Sequence, residues 1–196
     1  MINRIGDNLI VFNSTKEDGN TSKKLAGKLI ARTNKKRFFK GINIDFKKSL
    51  AFEVLNTDKI YIVTDYFIKK YPNLAKAKLV TDAVIIKNKN IFVYLNFGDC
   101  LPFVIYDKIK HLFGFAHLGW RSIDLKLHNK LLDIFINKYK SNIKDIIVYF
   151  GPSIKKESYV ISNPSQLKYL EWRPFVHKIK DEQYQVDLNG FVVASI

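Results

Sequence analysis

The chain has 196 residues, 47% of them apolar and 14% aromatic; that is enough for one compact domain with a real core and excludes a disordered chain. No apolar run approaches the ~18 residues a membrane span needs, and the start, Met1-Ile2-Asn3-Arg4-Ile5-Gly6-Asp7, turns polar without a signal-peptide core. The 33 basic residues outnumber 18 acidic ones for a net +15, but only five are Arg, so the Lys-, Asn- and Ile-rich excess reads as a solvated surface of AT-rich coding rather than a specific nucleic-acid interface.

One cysteine, Cys100, excludes an internal disulfide framework and makes a cytoplasmic protein the simplest reading. No linker or repeat interrupts residues 1–196, which read as a single domain. Residues 9–13 predict a strand, and Thr15 to Ser22 a polar turn around Asp18-Gly19. Residues 22–39 predict a helix with Leu25, Leu29 and Ile30 on one side, stopped by Gly41. Phe52 to Leu55 and Lys59 to Val63 predict short strands around the turn Asn56-Thr57-Asp58. Residues 82–87 and 91–97 predict two strands joined by a hairpin turn at Lys87-Asn88-Lys89-Asn90.

Strand 91–97 ends at Gly98-Asp99-Cys100-Leu101-Pro102, and strands Phe103–Tyr106 and Leu112–Ala116 follow. The last ends at His117-Leu118-Gly119-Trp120-Arg121-Ser122, before a helix over 123–140 with Leu127, Leu131, Ile134, Phe135 and Tyr139 on its buried face. Ile146–Phe150 predicts a further strand, ending at Gly151-Pro152-Ser153.

Two reversals separate strand 91–97 from strand 112–116, so the two run in the same direction and bring Cys100 and His117 to one rim of the sheet. A thiol and an imidazole on one rim make either half of a metal site or a Cys–His dyad. The four histidines, His111, His117, His128 and His177, are too few for a multicopper centre, so any metal site holds one ion. Ser122 reads as the N-cap of the next helix, whose start with Arg121 would favour a phosphate or carboxylate. Gly151 would let a ligand approach the backbone. The bland alternatives are a small core cysteine, a solvated His128, and His111 and His177 without partners; Trp172 packs, while Trp120 is either a core anchor or a stacking platform.

Phe97-Gly98-Asp99-Cys100-Leu101-Pro102 is similar to an "ADCLP" element, His117-Leu118-Gly119-Trp120-Arg121-Ser122 to "HAGWRG", and Gly151-Pro152-Ser153-Ile154 to "GPxIG". Thr81-Asp82-Ala83-Val84 is similar to "ADAL/V", and Asn34 with Phe38-Phe39 to "NR..F". In this order and spacing, from about Leu9 to Leu188, the chain resembles the laccase-domain (YfiH-like) proteins, also called multicopper polyphenol oxidoreductases and reclassified as purine nucleoside phosphorylases. The resemblance implies an α/β fold, a layered α/β/β/α sandwich with mixed sheets. It implies zinc, or copper in its place, held by two His and one Cys. It implies phosphorolysis of adenosine, inosine, guanosine or methylthioadenosine, with adenosine deamination as a second activity.

Carried over, Cys100 and His117 match two metal ligands, and Asn56 stands where the third, a His, is expected. An amide oxygen is a weak partner for zinc. Lys16 replaces a family Arg, Lys155 a Gly, and Tyr159-Val160-Ile161-Ser162 lacks an acid. Family members continue past the region of Asp187-Leu188 with a helix and a further strand, so the C-terminal part of the family domain is expected to be missing here.

The first expectation is thus a zinc-dependent purine nucleoside phosphorylase. Cys100, His117, Arg121 and Asp99 would be its catalytic residues, Ser122 and Gly151 would contact the ligand, and Asp99 would orient it. Its partners are a purine nucleoside and phosphate, with neither membrane nor specific nucleic acid, and self-association into a homo-oligomer is compatible. The second is a degenerate relative that binds a nucleoside or a protein without turnover. A metal-free Cys–His hydrolase and a basic nucleic-acid binder are weaker alternatives.

Overall fold

A computed structural model describes residues 2–5, 8–87 and 90–196. Strands β1 (Ile2–Ile5) and β2 (Leu9–Phe12) form an antiparallel pair. Helices α1 (Lys23–Ala26) and α2 (Lys28–Gly41) follow. The expected single helix over 22–39 is broken at Gly27, whose φ of 76° lies in the left-handed region that glycine enters freely. Leu25, Leu29 and Ile30 point outward, and Ala31 and Phe39 are the buried side chains. Strand β3 (Ser49–Leu50) leads past Glu53, which makes only an isolated bridge to Val80; the expected strand over 52–55 does not form.

Strand β4 (Ile60–Val63), helix α3 (Asp65–Lys70) and strand β5 (Ala83–Ile86) come next. Thr64 caps α3 by accepting from the Phe67 amide at 3.2 Å. Strand β6 (Phe92–Val93) is short and pairs in parallel with β3, so 82–87 and 91–97 are not two arms of one hairpin. The centre of the expected turn, Asn88-Lys89, lies outside the described residues, as do Met1, Gly6 and Asp7. Beyond β6 the chain leaves the ladder to seat aromatic rings: Tyr94 packs on Phe39 and Phe46, and Phe97 on Phe115.

Strands β7 (Leu101–Asp107), β8 (Leu112–Leu118) and β9 (Ile146–Phe150) complete a mixed five-stranded sheet in the order β4-β5-β8-β7-β9. Between β8 and β9 run α4 (Trp120–Asp124) and α5 (Leu127–Asp133), the latter continued by a π-helical turn over Ile134–Lys138. The expected helix over 123–140 therefore starts earlier and breaks at Lys126, whose φ is 59°. Strands β10 (Val160–Ser162), β11 (Val176–Lys180) and β12 (Gln183–Val186) form a small antiparallel sheet, and α6 (Leu188–Ala194) ends the chain.

Strand β5 divides the two cores by its pleat. Ala83 and Ile85 join one cluster with Leu127, Leu131, Phe135 and Trp172; Val84 and Ile86 join the other with Leu50, Phe67 and Phe115. The first is sealed by α5 and α6, where the Trp172 and Phe191 rings stack at 3.7 Å. On the second face a cavity of about 670 Å³ lies against β7 and β8, bordered by β2 and β6. The architecture is a mixed α/β fold.

Candidate functional site

The site grows from the antiparallel pairing of β7 with β8. Leu101 faces Leu118 and Pro102 faces His117, so the start of β7 lies beside the end of β8. That register brings Cys100, one residue before β7, to His117 on β8. The juxtaposition expected from the sequence is present, but by another route: 91–97 lies in a different sheet, and His117 is inside its strand rather than beyond it.

On the other side of β8, Ala83 of β5 pairs with Ala116, which puts Asp82 opposite His117. The His117 amide donates to the Asp82 carbonyl at 2.9 Å, and His117 Nδ1 stands 3.7 Å from Asp82 Oδ1, within ion-pair range but long for a hydrogen bond. The same fully buried carboxyl group accepts from three successive amides, Leu55 at 3.2 Å, Asn56 at 2.8 Å and Thr57 at 2.8 Å, and from the Thr57 hydroxyl at 2.6 Å. Three converging amides make a nest for a negative charge. They hold the turn in which Asn56 adopts φ 58°, a left-handed conformation that Asn and His tolerate better than most side chains.

Gly119 is where the turn, the thiol and the imidazole meet. A Cβ there would lie 2.9 Å from Asn56 Oδ1, 3.3 Å from Cys100 Sγ and 3.6 Å from His117 Cε1. The backbone of Gly119 itself, φ −83° and ψ 166°, is open to any residue, so what glycine supplies is the space. A thiol, an imidazole and an amide oxygen around that space suit a borderline ion such as zinc, with two strong donors and one weak one. No group of three His, Cys, Asp or Glu able to hold a metal forms among the described residues; the third side-chain atom beside the thiol and the imidazole is the Asn56 amide oxygen.

Burial holds the His117 imidazole below its ordinary pKa, against the opposing pull of Asp82. Burial, reinforced by the neighbouring Asp99, pushes the Cys100 thiol up. A thiol so placed is protonated at neutral pH when alone, which removes the activated nucleophile a metal-free Cys–His hydrolase would need.

Asp99 is exposed, and its carbonyl accepts from the Ile154 amide at 3.0 Å, tying the segment after β9 to the site. Arg121 is exposed and lies over the Trp120 ring at 4.5 Å. Tyr159 belongs to the same neighbourhood: burial first, then Cys100 and Asp99, raise its phenol, while Arg121 opposes them. In the sequence Tyr159 only opens a stretch that lacks an acid, and the groups around it come together only once the strands are assembled.

Two expectations need correcting. Ser122 is not an N-cap; Gly119 precedes α4, and Ser122 is fully buried inside it with an Oγ that meets no hydrogen-bond partner among the described residues. At five residues α4 is too short to serve as an anion-binding helix end. Gly151 is buried against β7 rather than open to a ligand, since a Cβ there would lie 2.7 Å from Pro102 Cβ.

The other histidines also differ from expectation. His128 is fully buried, not solvated, with Nε2 2.8 Å from Ser195 Oγ. His111, in a turn as expected, does have a partner: the Tyr106 hydroxyl at 3.0 Å from its Nδ1. His177 is exposed on the edge strand β11. Trp172 packs fully buried and donates from Nε1 to Asp124 at 2.7 Å. Trp120 packs partly buried against the first core with Arg121 over its face.

Residues 26–196 match the family of multi-copper polyphenol oxidoreductase laccases, and the chain belongs to that family. It is 34% identical over 95 residues to the purine nucleoside phosphorylase YlmD of Bacillus subtilis, a match covering 48% of this chain and 33% of that protein. It is 32% identical over 116 residues to a purine nucleoside phosphorylase of Borreliella burgdorferi, covering 59% of this chain and 47% of the other. The YfiH protein of Bacillus licheniformis superposes with a TM-score of 0.71 at 25% identity, over 83% of this chain and 63% of that one. The matches thus span between a third and a half of these two curated relatives.

Proposed function

We propose that the chain carries a zinc-dependent purine nucleoside phosphorylase site, with zinc, or copper in its place, held by Cys100 and His117 and more weakly by Asn56. One observation carries the reading: the three side chains converge on the space above Gly119. The names borne by its relatives in Bacillus subtilis and Borreliella burgdorferi support the choice of reaction.

In phosphorolysis, a phosphate oxygen bonds to C1′ of the ribose, the bond from C1′ to the base breaks, and the base leaves taking up the proton that the phosphate gives up. When bound, the metal would supply Lewis acidity and hold one reactant. The chain's own residues bind and orient. Arg121 offers a planar two-donor fork to phosphate at the rim. Tyr159, whose phenol burial keeps protonated, offers a hydrogen-bond donor in the same neighbourhood. Asp99, next to Cys100 in the chain, would orient the bound ligand. Adenosine, inosine, guanosine and methylthioadenosine are the substrates we assign, with adenosine deamination as a second activity.

The second reading is a relative that binds a nucleoside or a protein without turnover. It is favoured by the amide at position 56, which leaves the metal only two strong donors.

Zinc quantitation coupled to an inosine phosphorolysis assay on the wild-type chain and Asn56→His separates the two. The enzyme reading expects close to one zinc per chain and phosphate-dependent hypoxanthine release in wild type, with tighter zinc in Asn56→His. Absence of both in wild type and their appearance in Asn56→His would assign the natural chain to the second reading.

A further inference from the structure

The turn at Asn56 and the imidazole of His117 come from separate stretches of chain, yet one group touches both. Asp82 lies opposite His117 in the β5–β8 ladder and receives the His117 amide on its carbonyl at 2.9 Å. Its carboxyl group faces His117 Nδ1 at 3.7 Å. The ring's other surroundings include Phe97, whose centroid is 5.5 Å away at a tilt of 35°. A ring confined by a carboxylate and an aromatic plane has its nitrogens assigned by them: the electrostatics favour the proton on the nitrogen nearer the carboxylate.

The same carboxyl group binds the 55–57 turn entirely through backbone amides and the Thr57 hydroxyl, and none of these bonds uses the Asn56 side chain. The turn's shape is therefore held by Asp82 through the backbone, for an Asn or a His alike at position 56. An acid with no solvent access is costly to bury unless its lone pairs are filled, and here four donors fill them. The carboxylate therefore acts on His117 Nδ1, which has no hydrogen-bond partner among the described residues, through its charge rather than through a hydrogen bond.

We propose that Asp82 is a positioning residue that locks the Asn56 turn and the His117 ring into one fixed relation, with the His117 proton on Nδ1 and Nε2 left as the acceptor nitrogen of the site. The metal-binding part rests on the reading of Cys100, His117 and Asn56 as a metal site; the tautomer and the turn do not.

The test is nitrogen-resolved NMR of the histidine side chains in metal-free protein, paired with zinc affinity from competition with a chromophoric chelator. Wild type is expected to show His117 with its proton on Nδ1. Asp82→Asn is expected to shift it toward the Nε2–H form that a free imidazole prefers and to weaken zinc by roughly 10- to 100-fold. Thr57→Val removes one donor to the carboxyl group without touching His117. It is expected to weaken zinc by only a few-fold and to leave the tautomer unchanged. A role confined to stability would lower the melting temperature of Asp82→Asn and leave the tautomer where it was, which would overturn the proposal. So would an Nε2–H His117 in wild type, a result that decides even if Asp82→Asn fails to fold. Because the tautomer is read without metal or nucleoside, a chain that performs no phosphorolysis leaves this assignment standing.

Discussion

His117 and His128 are both buried imidazoles on neighbouring elements, β8 and α5, and burial holds both below the ordinary histidine pKa. Their surroundings differ. His117 faces the Asp82 carboxyl group at 3.7 Å, with the Cys100 thiol and the Asn56 amide gathered at the space above Gly119. His128 meets the Ser195 hydroxyl at 2.8 Å through Nε2; the Nδ1 of either ring has no hydrogen-bond partner among the described residues, but only that of His117 faces a carboxylate. Burial alone therefore does not make a site. What separates the two is a carboxyl group behind the ring and a thiol and an amide oxygen gathered beside it at Gly119. On the proposed reading His117 holds the metal, whereas His128 ties the end of α6 to α5 through Ser195.

Substitutions should split the two regions cleanly. Cys100→Ser and His117→Ala are expected to lower zinc affinity and phosphorolysis by at least ~100-fold, measured by chelator competition and inosine turnover. Cys100→Ser should leave the melting temperature nearly unchanged, and His117→Ala should lower it no more than His128→Ala does. His128→Ala is expected to do the reverse, destabilising by about 2–3 kcal/mol in denaturant unfolding through lost packing and a stranded Ser195 hydroxyl, with zinc affinity intact. A His128 variant that loses zinc, or a His117 variant that loses only stability, would break the contrast.

A pH series sharpens it. His128 takes a proton near 6.5 when unfolded and only near about 4 when folded. Between those values the unfolded state binds more protons, so stability falls as pH drops from about 6.5 to about 4, by about 3 kcal/mol in total. His128→Gln should flatten that slope in urea titrations. Persistence of the full slope would place its origin elsewhere.

The smallest effect concerns the thiol. With its pKa raised by burial and Asp99, Cys100 should react with iodoacetamide roughly 3- to 10-fold more slowly than a free thiol at pH 7.5, gaining speed only in alkali. Fast alkylation at neutral pH would revive the metal-free dyad.

Much of the site was legible in the sequence because its parts are short motifs at the edges of one strand pair. Cys100 and His117 flank a reversal, and any antiparallel pairing of 101–107 with 112–118 brings them together. The inferred route through 91–97 failed because that stretch spends its aromatics, Tyr94 and Phe97, on packing away from the ladder. The helical segments were less legible. Left-handed backbone at Gly27 and Lys126 breaks each of the two expected helices, and the apolar spacing of Leu25, Leu29 and Ile30 carried no sign that these would face outward. His128 sits among Lys and Asn in sequence, so only the return of α6 reveals its burial. Asp82 had a signal that could have been used: an acid directly before the all-apolar run Ala83-Val84-Ile85-Ile86 will be buried and needs donors.

Cobalt substitution tests the central claim, that Cys100, His117 and Asn56 gather at Gly119 to hold one metal ion. The wild-type chain loaded with Co²⁺ is expected to develop thiolate-to-cobalt charge-transfer absorption. That absorption should be abolished by Cys100→Ser and by Gly119→Ala, whose added methyl fills the space in a backbone conformation that alanine accepts without strain. A wild-type spectrum without that absorption, or one that survives Gly119→Ala unchanged, would contradict the account.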